Sequence, residues 1–380
     1  MPEPTPPEPD AGEDPAAGEG PASDEGPASR HGPTPTSGDG PASDEGPGES
    51  SLAQELFGTT FQSPVLLASG TCGYGREYDG LIPLDEIGGL VTKAVSVEPR
   101  AGNPPHRVAE TPAGMINAIG LDNVGLERFR AEKLPWLRDH LRRARVLVNV
   151  VGRTVDEYAA VVAGLDDEEG FLGYEINVSC PNVEGGTLFG TDREALARLV
   201  GRLRSETDRP LVVKLTPNVP EIGVYARACE EAGADGLSTI NTFPGMLVDV
   251  EERRPVIGNV TGGVSGPAIL PMGVYLTWRA ARAVEIPILG VGGIRSAEDA
   301  MQYVLAGASL VQVGTALFVD PAAAGGIHRG LDAQVERQGA ETLSELVGAL
   351  ETGPRGPAAP GAGPGEERAD GPVPETGARG

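Results

Sequence analysis

Apolar residues recur through the middle of the chain in eight short runs, separated by stretches with helical periodicity. The runs are rich in Val, Ile and Leu with little polar alternation, as expected of parallel strands covered on both faces. We predict strands at Val65–Ser69, Leu90–Val95, Val146–Val151, Tyr174–Val178, Leu211–Leu215, Gly236–Ile240, Ile288–Val291 and Leu310–Val313. Clear helical patterns lie at Asp192–Ser205, Glu221–Ala232 and Ser296–Ala306, the last with Ser296 as its N-cap.

The residues that end these runs favour a closed barrel over an open doubly wound sheet. Glycine motifs of the phosphate-binding type follow the last two runs instead of the first. Six runs also end in or just before a polar residue: Ser69, Lys93, Asn149, Asn177, Lys214 and Asn241. In a barrel of alternating strands and helices, functional residues lie at the carboxyl ends of the strands. We therefore predict an α/β fold, a (β/α)8 TIM barrel.

Three segments interrupt the simple alternation of strand and helix. Val97–Gly125 and Pro244–Pro267 are rich in Pro and Gly and too long for ordinary connections. We expect them to fold over the open end of the barrel as lids or small hairpins. Residues Leu52–Pro64 are expected to form a short hairpin that closes the other end.

The two ends of the chain differ in composition from the middle. Residues 1–50 contain 12 Pro, 12 Asp or Glu and one basic residue, Arg30, and the last thirty residues are again Gly, Pro, Ala and charge. Such segments cannot bury enough apolar surface to offset their ordering entropy. We predict disordered tails at 1–50 and 346–380 around a barrel at 51–345.

Charge and cysteine content exclude several classes of protein. A formal net charge of −25 without a basic stripe argues against nucleic acid and anionic membranes as partners. No apolar run reaches the roughly 18 residues of a membrane span, and the chain does not open on a basic–apolar signal peptide. Three widely spaced cysteines form neither a disulfide framework nor a metal-ligand pattern. We expect a cytoplasmic protein that binds no metal itself.

The two glycine motifs predict a phosphate ligand. They are Gly290-Val291-Gly292-Gly293-Ile294-Arg295 and Val313-Gly314-Thr315-Ala316. Glycine lets backbone N–H groups approach a phosphate, and the loops after the last two strands of such barrels are the usual phosphate site. The motifs alone leave FMN, pyridoxal phosphate and sugar phosphates open. The alternative interpretation, ordinary tight turns, is weakened by the occurrence of two such loops.

Lysine usage adds a second signal, because the chain has 27 Arg and only three Lys. Two of the three, Lys93 and Lys214, end apolar runs. A compact ammonium can stabilise a reduced flavin at its N1/C2 carbonyl edge, which a planar guanidinium fits less well. A structural ion pair and a Schiff-base lysine remain alternatives.

The segment Asn177-Val178-Ser179-Cys180-Pro181-Asn182 brings amides and a thiol to the end of the fourth run. Carboxamides suit a planar heterocycle with alternating C=O and N–H groups, and a thiolate can remove a proton from carbon. Further amides and hydroxyls come from Asn117 and from Asn241-Thr242. Cys72 and Cys229 are interpreted as small buried thiols, and the four His residues form no triad.

Taken together, the motifs resemble the class 1 dihydroorotate dehydrogenases, over about residues 52–345. The resemblance is carried by Leu67-Ala68-Ser69-Gly70, Thr92-Lys93-Ala94-Val95, Asn117-Ala118-Ile119-Gly120-Leu121, Asn177 to Asn182, Asn241-Thr242, Gly263-Val264-Ser265-Gly266-Pro267, Gly292-Gly293-Ile294 and Val313-Gly314-Thr315. Two departures are His106, where Pro is expected, and Asp122, where Gln is common.

The resemblance implies an FMN enzyme, with one FMN per chain, that oxidises dihydroorotate to orotate in pyrimidine biosynthesis. Cys180 would take the C5 proton while C6 delivers hydride to FMN N5. The residues that would hold the pyrimidine and its carboxylate are Lys93, Asn117, Ala118, Ile119, Gly120, Leu121, Asn177, Asn182, Asn241 and Thr242. Those that would hold FMN are Ser69, Lys93, Ala94, Asn149, Asn177, Lys214, Ile240, Gly266, Gly292, Gly293, Gly314 and Thr315, the last four near its phosphate.

The sequence of residues 117–121 is more similar to that of subclass 1B than to that of subclass 1A. Subclass 1B implies a homodimer joined by an FAD and iron–sulfur subunit into a heterotetramer that passes electrons to NAD⁺. This chain has no Cys cluster, so the iron–sulfur centre would lie on another polypeptide. The membrane-bound class uses Ser as the base, which disfavours it here. Alternatives are the fumarate-dependent subclass 1A, a dihydropyrimidine dehydrogenase-type module, a non-redox barrel and a non-catalytic subunit.

Overall fold

The computed structural model describes residues 50–179 and 189–353. Eight parallel strands, numbered β1 to β8 along the chain, close into a barrel in which each strand pairs with the next and β8 pairs with β1. The strands are Val65–Leu67, Gly89–Val91, Arg145–Val150, Gly173–Asn177, Leu211–Leu215, Gly236–Thr239, Ile288–Val291 and Leu310–Val313. The predicted (β/α)8 barrel is therefore confirmed.

The predicted strand bounds hold for β5, β7 and β8. The other five strands end one to four residues earlier than predicted, and β2, β3 and β4 also begin one residue earlier. The largest error is in β2, which was predicted to reach Val95 and ends at Val91. The backbone N–H of Lys93 donates to Gly73 O at 2.6 Å, so the chain has already turned into the rim. A run of apolar residues extends beyond the strand when the loop that follows is also buried. Val95, in the loop after β2, is completely buried.

Helices α1 to α8 cover the barrel. They are Gly125–Arg128, Leu134–His140, Val155–Leu165, Arg193–Arg204, Ile222–Glu231, Leu270–Ala281, Ala297–Leu305 and Ala323–Gln338, with a π-helical turn at Phe129–Lys133 between α1 and α2. Short 3₁₀ turns lie at Arg76–Tyr78, Leu84–Glu86, Pro267–Ile269, Thr315–Phe318 and Leu343–Leu346. The three predicted helices are present with their bounds one residue shorter at each end, and Ser296 accepts from Asp299 N as the predicted N-cap.

The barrel interior is apolar towards the amino ends of the strands. Seven side chains are fully buried there: Phe61, Leu66, Val91, Leu147, Val212, Leu289 and Leu310. Strands Gln54–Leu56 and Thr59–Phe61 form the predicted antiparallel hairpin, and Leu56 and Phe57 pack against this cluster. The hairpin thus closes the amino end of the barrel, as predicted.

The two long inserts meet in one sheet over the carboxyl end. Val108–Thr111 and Gly114–Asn117 come from the first insert, and Phe243–Gly245 and Gly262–Ser265 come from the second. Gly262–Ser265 lies between Phe243–Gly245 and Gly114–Asn117, all antiparallel. A further pair, Val248–Asp249 with Arg254–Pro255, extends the second insert. Hairpins were predicted; their union into a single sheet was not.

Within residues 50–179 and 189–353, no helix is long and apolar enough to cross a bilayer. Over the same ranges, no three His, Cys, Asp or Glu side chains cluster closely enough to hold a metal ion.

Candidate active site at the carboxyl end of the barrel

Lys214 projects from β5 into the mouth of the barrel, where its side chain is almost completely buried. Its Nζ donates to Ser69 Oγ at 3.1 Å, which lies just after β1 on the opposite side of the barrel. The same Nζ lies 3.5 Å from Glu175 Oε1. Lys214 and Ser69, both predicted FMN contacts, are therefore brought together by a bridge across the mouth.

Glu175 is a member of this site that sequence reasoning missed. It lies in β4, is 0% exposed, and accepts hydrogen bonds from Asn149 Nδ2 at 2.7 Å, Ser238 Oγ at 2.7 Å and Gln312 Nε2 at 2.9 Å. Burial raises the pKa of its carboxyl, but Lys214 and the three donors outweigh burial, so the pKa is lowered. A lone acidic residue within an apolar strand was the signal in the sequence that could have revealed it.

Three polar residues of the predicted substrate set adjoin one another on β4 and after β6. Asn241 Nδ2 donates to Asn177 Oδ1 at 3.2 Å, and Thr242 N donates to Asn241 Oδ1 at 2.8 Å. Ser179 N donates to Asn177 Oδ1 at 3.3 Å, which orients the Asn177 amide from the following loop. Amide and hydroxyl groups of three residues are thus available at one position on the rim.

Asn117 approaches the same position from the first insert. Its Nδ2 donates to Gly263 O at 3.2 Å, and the two residues pair in the sheet over the barrel. Gly263 also packs against Thr242, since a Cβ built on Gly263 would collide with the Thr242 side chain. Three of the four predicted asparagines, with Thr242, therefore lie around one site.

Lys93 lies on the rim beside the loop Ala118–Leu121, but its ion pair is with a residue that was not expected. Its Nζ lies 2.9 Å from Asp122 Oδ2, and Arg107 Nη1 approaches the same oxygen at 3.7 Å. Among the described residues, no hydrogen bond joins the Lys93 ammonium to the asparagines. One of the two sequence departures, Asp122, is thus in direct contact with a predicted binding residue.

The loop Ala118–Leu121 is fixed by Asn103. Asn103 Nδ2 donates to Ala118 O at 3.0 Å, and Asn103 N donates to Ile119 O at 3.0 Å. Gly120 and Leu121 both have positive φ, of 75° and 57°. Such a backbone is uncommon for Leu, so the tight loop depends on this bracing.

The glycines of the two predicted phosphate motifs converge with those of the second insert. A Cβ built on Gly293, which has φ 76°, would lie 2.9 Å from Gly266 O, and one built on Gly266 would lie 3.4 Å from Thr315 Cγ2. Thr315 Oγ1 donates to Ser265 Oγ at 2.8 Å or accepts from it. The lack of side chains at Gly266, Gly292, Gly293 and Gly314 lets these loops pack closely against neighbouring chain segments. We call these four residues the glycine cradle, because their backbone groups are candidates to bind a phosphate.

Comparison with known proteins identifies the family. Residues 51–335 match the family described as Dihydroorotate dehydrogenase. The chain belongs to this family. A relative named "Dihydroorotate dehydrogenase B (NAD(+)), catalytic subunit" from Geotalea uraniireducens is 48% identical over 306 residues, which cover 80% of this chain and all of that one. A relative of the same name from Pelobacter propionicus is 50% identical over 301 residues, 78% of this chain and 97% of its own.

The B-type names of these dihydroorotate dehydrogenases confirm the predicted resemblance to subclass 1B. The DHODH of Eimeria tenella, solved in complex with ferulenol, matches 79% of this chain and 88% of its own with a TM-score of 0.67. At 23% identity this likeness supports the barrel fold alone.

The remaining predicted residues of this dihydroorotate dehydrogenase fall into two groups. Ala94 and Ile240 are buried at the rim, where Ala94 O accepts from Tyr74 Oη at 3.3 Å and Ile240 N donates to Val291 O at 3.0 Å. Cys180, Pro181 and Asn182 lie outside the described residues, so the predicted base and the fourth asparagine remain predictions.

The other two cysteines are buried thiols, as predicted. Cys72 Sγ donates to Val91 O at 3.2 Å, and burial raises the pKa of the Cys72 thiol to about 12. Burial also raises the pKa of Cys229 in α5. Neither thiol is poised to exchange protons near neutral pH.

Proposed function

We propose that this chain oxidises (S)-dihydroorotate to orotate with FMN bound at the carboxyl end of the barrel, and that the electrons pass to NAD⁺ through a partner subunit. The observation that carries the proposal is the convergence on one rim of a buried lysine, three asparagines and a glycine cradle. Membership of the dihydroorotate dehydrogenase family supports dihydroorotate as the substrate, and the names of the B-type relatives support NAD⁺ as the electron acceptor.

The residues present fit FMN. The glycine cradle with Thr315 suits its phosphate, and Lys214 beside Ser69 suits the carbonyl edge of its ring. Gln312 Oε1 is buried without a hydrogen-bond partner among the described residues, so the barrel mouth retains unused accepting capacity. When bound, FMN supplies the acceptor for the hydride from C6 of the substrate. Ala94, Asn149 and Ile240 complete the proposed cofactor contacts.

The protein's own part in the reaction is to bind, orient and deprotonate the substrate. Asn117, Asn177, Asn241 and Thr242, with Asn182, five positions after Asn177 in the sequence, would hydrogen-bond the pyrimidine ring. Lys93 would meet its carboxylate, next to the braced loop Ala118–Leu121. Cys180, one residue after the described Ser179, is proposed to remove the C5 proton.

The electron-transfer partner is proposed to carry FAD and an iron–sulfur cluster and to join a homodimer of this chain into a heterotetramer. The chain lacks a cysteine cluster of its own, which supports placing the cluster on another polypeptide. A cytoplasmic location and the absence of nucleic-acid and membrane partners remain part of the same proposal.

The test is anaerobic reduction of the purified protein. We expect a yellow protein with one FMN per chain that bleaches on addition of dihydroorotate and not of dihydrouracil. Reoxidation by NAD⁺ should require the partner subunit, and fumarate alone should be ineffective. A colourless protein that takes up no FMN contradicts the proposal. Bleaching by dihydrouracil favours a dihydropyrimidine dehydrogenase-type module, and reoxidation by fumarate favours subclass 1A.

A further inference from the structure

Glu175 places a negative charge inside the barrel next to the residues proposed to hold FMN. It precedes Asn177 by two positions in β4, so both side chains project from the same face of the strand into the barrel. The strands on either side contribute its neighbours Asn149 and Lys214. No substrate or cofactor contact has been proposed for Glu175 itself.

Both oxygens of this carboxylate are fully engaged. Oε1 faces Asn149 Nδ2 and Lys214 Nζ, and Oε2 accepts from Ser238 Oγ and Gln312 Nε2. These four donors come from β3, β5, β6 and β8. A charge buried to this extent is tolerated because every lone pair is matched by a donor. Glu175 therefore enters the site as a carboxylate at neutral pH.

The engagement of Glu175 fixes two of the proposed FMN contacts. Asn149 directs its NH₂ group to Glu175, which leaves its carbonyl oxygen on the other side of the amide as an acceptor. Lys214 is held between Glu175 Oε1 at 3.5 Å and Ser69 Oγ at 3.1 Å. The negative charge of Glu175 also offsets much of the positive charge of Lys214, because the effective dielectric constant is low in a buried site.

We propose that Glu175 is a positioning residue of the flavin site, whose carboxylate fixes Lys214 and Asn149 and sets the reduction potential of bound FMN by offsetting the charge of Lys214. The inference rests on the proposed function, because it assumes that FMN binds at this rim. Without Glu175, the uncompensated ammonium favours the reduced, anionic flavin more strongly.

The experiment measures the midpoint potential of FMN in the full-length holoenzyme at pH 6. Glu175→Gln preserves the volume and removes the charge. We expect the ratio of reduced to oxidised flavin at a fixed potential to rise at least tenfold, an upward shift of about 30 mV for the two-electron couple. An unchanged or lowered potential overturns the proposal.

Two further variants separate charge from packing. Ser238→Ala deletes one donor to Glu175 without a change of charge. The ratio of reduced to oxidised flavin at a fixed potential should then change less than threefold, a shift of less than about 15 mV. A shift as large as that of Glu175→Gln overturns the electrostatic role. Glu175→Asp keeps the charge but moves the carboxylate away from Lys214 and Asn149. The potential should therefore rise by less than it does in Glu175→Gln, while the Kd for FMN rises at least fivefold. If Glu175→Gln does not fold, an unchanged FMN affinity in Glu175→Asp overturns the proposal.

The outcomes also distinguish this inference from the function it rests on. If the unaltered protein takes up no FMN, the proposed function fails. If it binds FMN and is bleached by dihydroorotate while Glu175→Gln shows an unchanged potential, only the positioning role fails.

Discussion

The proposed base is a single residue, and its replacement by serine tests it directly. A hydroxyl gives up its proton less readily than a thiol, so Cys180→Ser should slow flavin reduction by dihydroorotate at neutral pH by about 10²- to 10⁴-fold and move the pH optimum upward. Anaerobic stopped-flow reduction across pH 6 to 10 measures both effects. Cys229→Ser, a buried thiol of α5, is the matched control and should leave the rates unchanged. Unaltered kinetics in Cys180→Ser would exclude this residue as the base.

Asp122 occupies a position where Gln is common in the family, and the structure places it in an ion pair with Lys93. Its carboxylate lies 2.9 Å from Lys93 Nζ and would compete with the substrate carboxylate proposed to bind there. The pair is partly exposed, so the competition amounts to about 0.5–1 kcal/mol. Asp122→Asn should therefore lower the KM for dihydroorotate about two- to fivefold with little change in kcat.

Steady-state kinetics with dihydroorotate as the varied substrate measure this effect. Asp139→Asn breaks a comparable exposed ion pair, with Arg138 on α2, and should leave the KM unchanged. A higher KM in Asp122→Asn would mean that Asp122 orients Lys93 for the substrate instead of competing with it.

The sequence predicted which residues lie on the rim most successfully where a residue type was unusual for its position. Lys214 ends an apolar strand in a chain with three lysines, and the structure places it, as predicted, in the barrel mouth. Glu175 was missed because a glutamate is a common residue, and its burial depends on four donors from four other strands of the barrel. Asp122 was noted as a departure, but its pairing with Lys93 depends on how the first insert folds back. Long-range contacts of this kind leave no periodicity in the sequence.

At the scale of elements, the hairpin that closes the amino end gives a stability prediction. Phe61 is fully buried in the apolar cluster of the barrel interior. Phe61→Ala should lower the free energy of unfolding by about 3–5 kcal/mol, because it leaves a cavity that the rigid barrel cannot collapse. Urea unfolding followed by circular dichroism measures the loss. Thr60→Ala, an exposed position of the same strand, should change it by less than about 0.5 kcal/mol. A loss below 1 kcal/mol in Phe61→Ala would show that the hairpin is not part of the cooperative core.

Elements were predicted more reliably than their assembly. Strands buried on both faces and capped helices have local signals, and all eight strands and the three assigned helices were found. The four-stranded sheet over the mouth was not predicted, because it pairs Asn117 with Gly263, residues almost 150 positions apart. Its Gly-rich strands carry little hydrophobic alternation, so their partners cannot be assigned from pattern alone.

For the whole molecule, the distribution of lysines has a practical consequence. Of three lysines in 380 residues, Lys93 and Lys214 lie on the rim and the third, Lys133, lies over the ring of Tyr74. Reagents that attach dyes, crosslinkers or resins to lysine amines therefore have few targets on this protein, and two of the three lie at the proposed active site. Lys93, a quarter exposed, is more accessible than Lys214 and lies at the proposed site of the substrate carboxylate. If Lys93 binds the substrate as proposed, amine coupling at Lys93 should be slowed by bound substrate, and thiol-free and amine-free coupling chemistry should preserve function better.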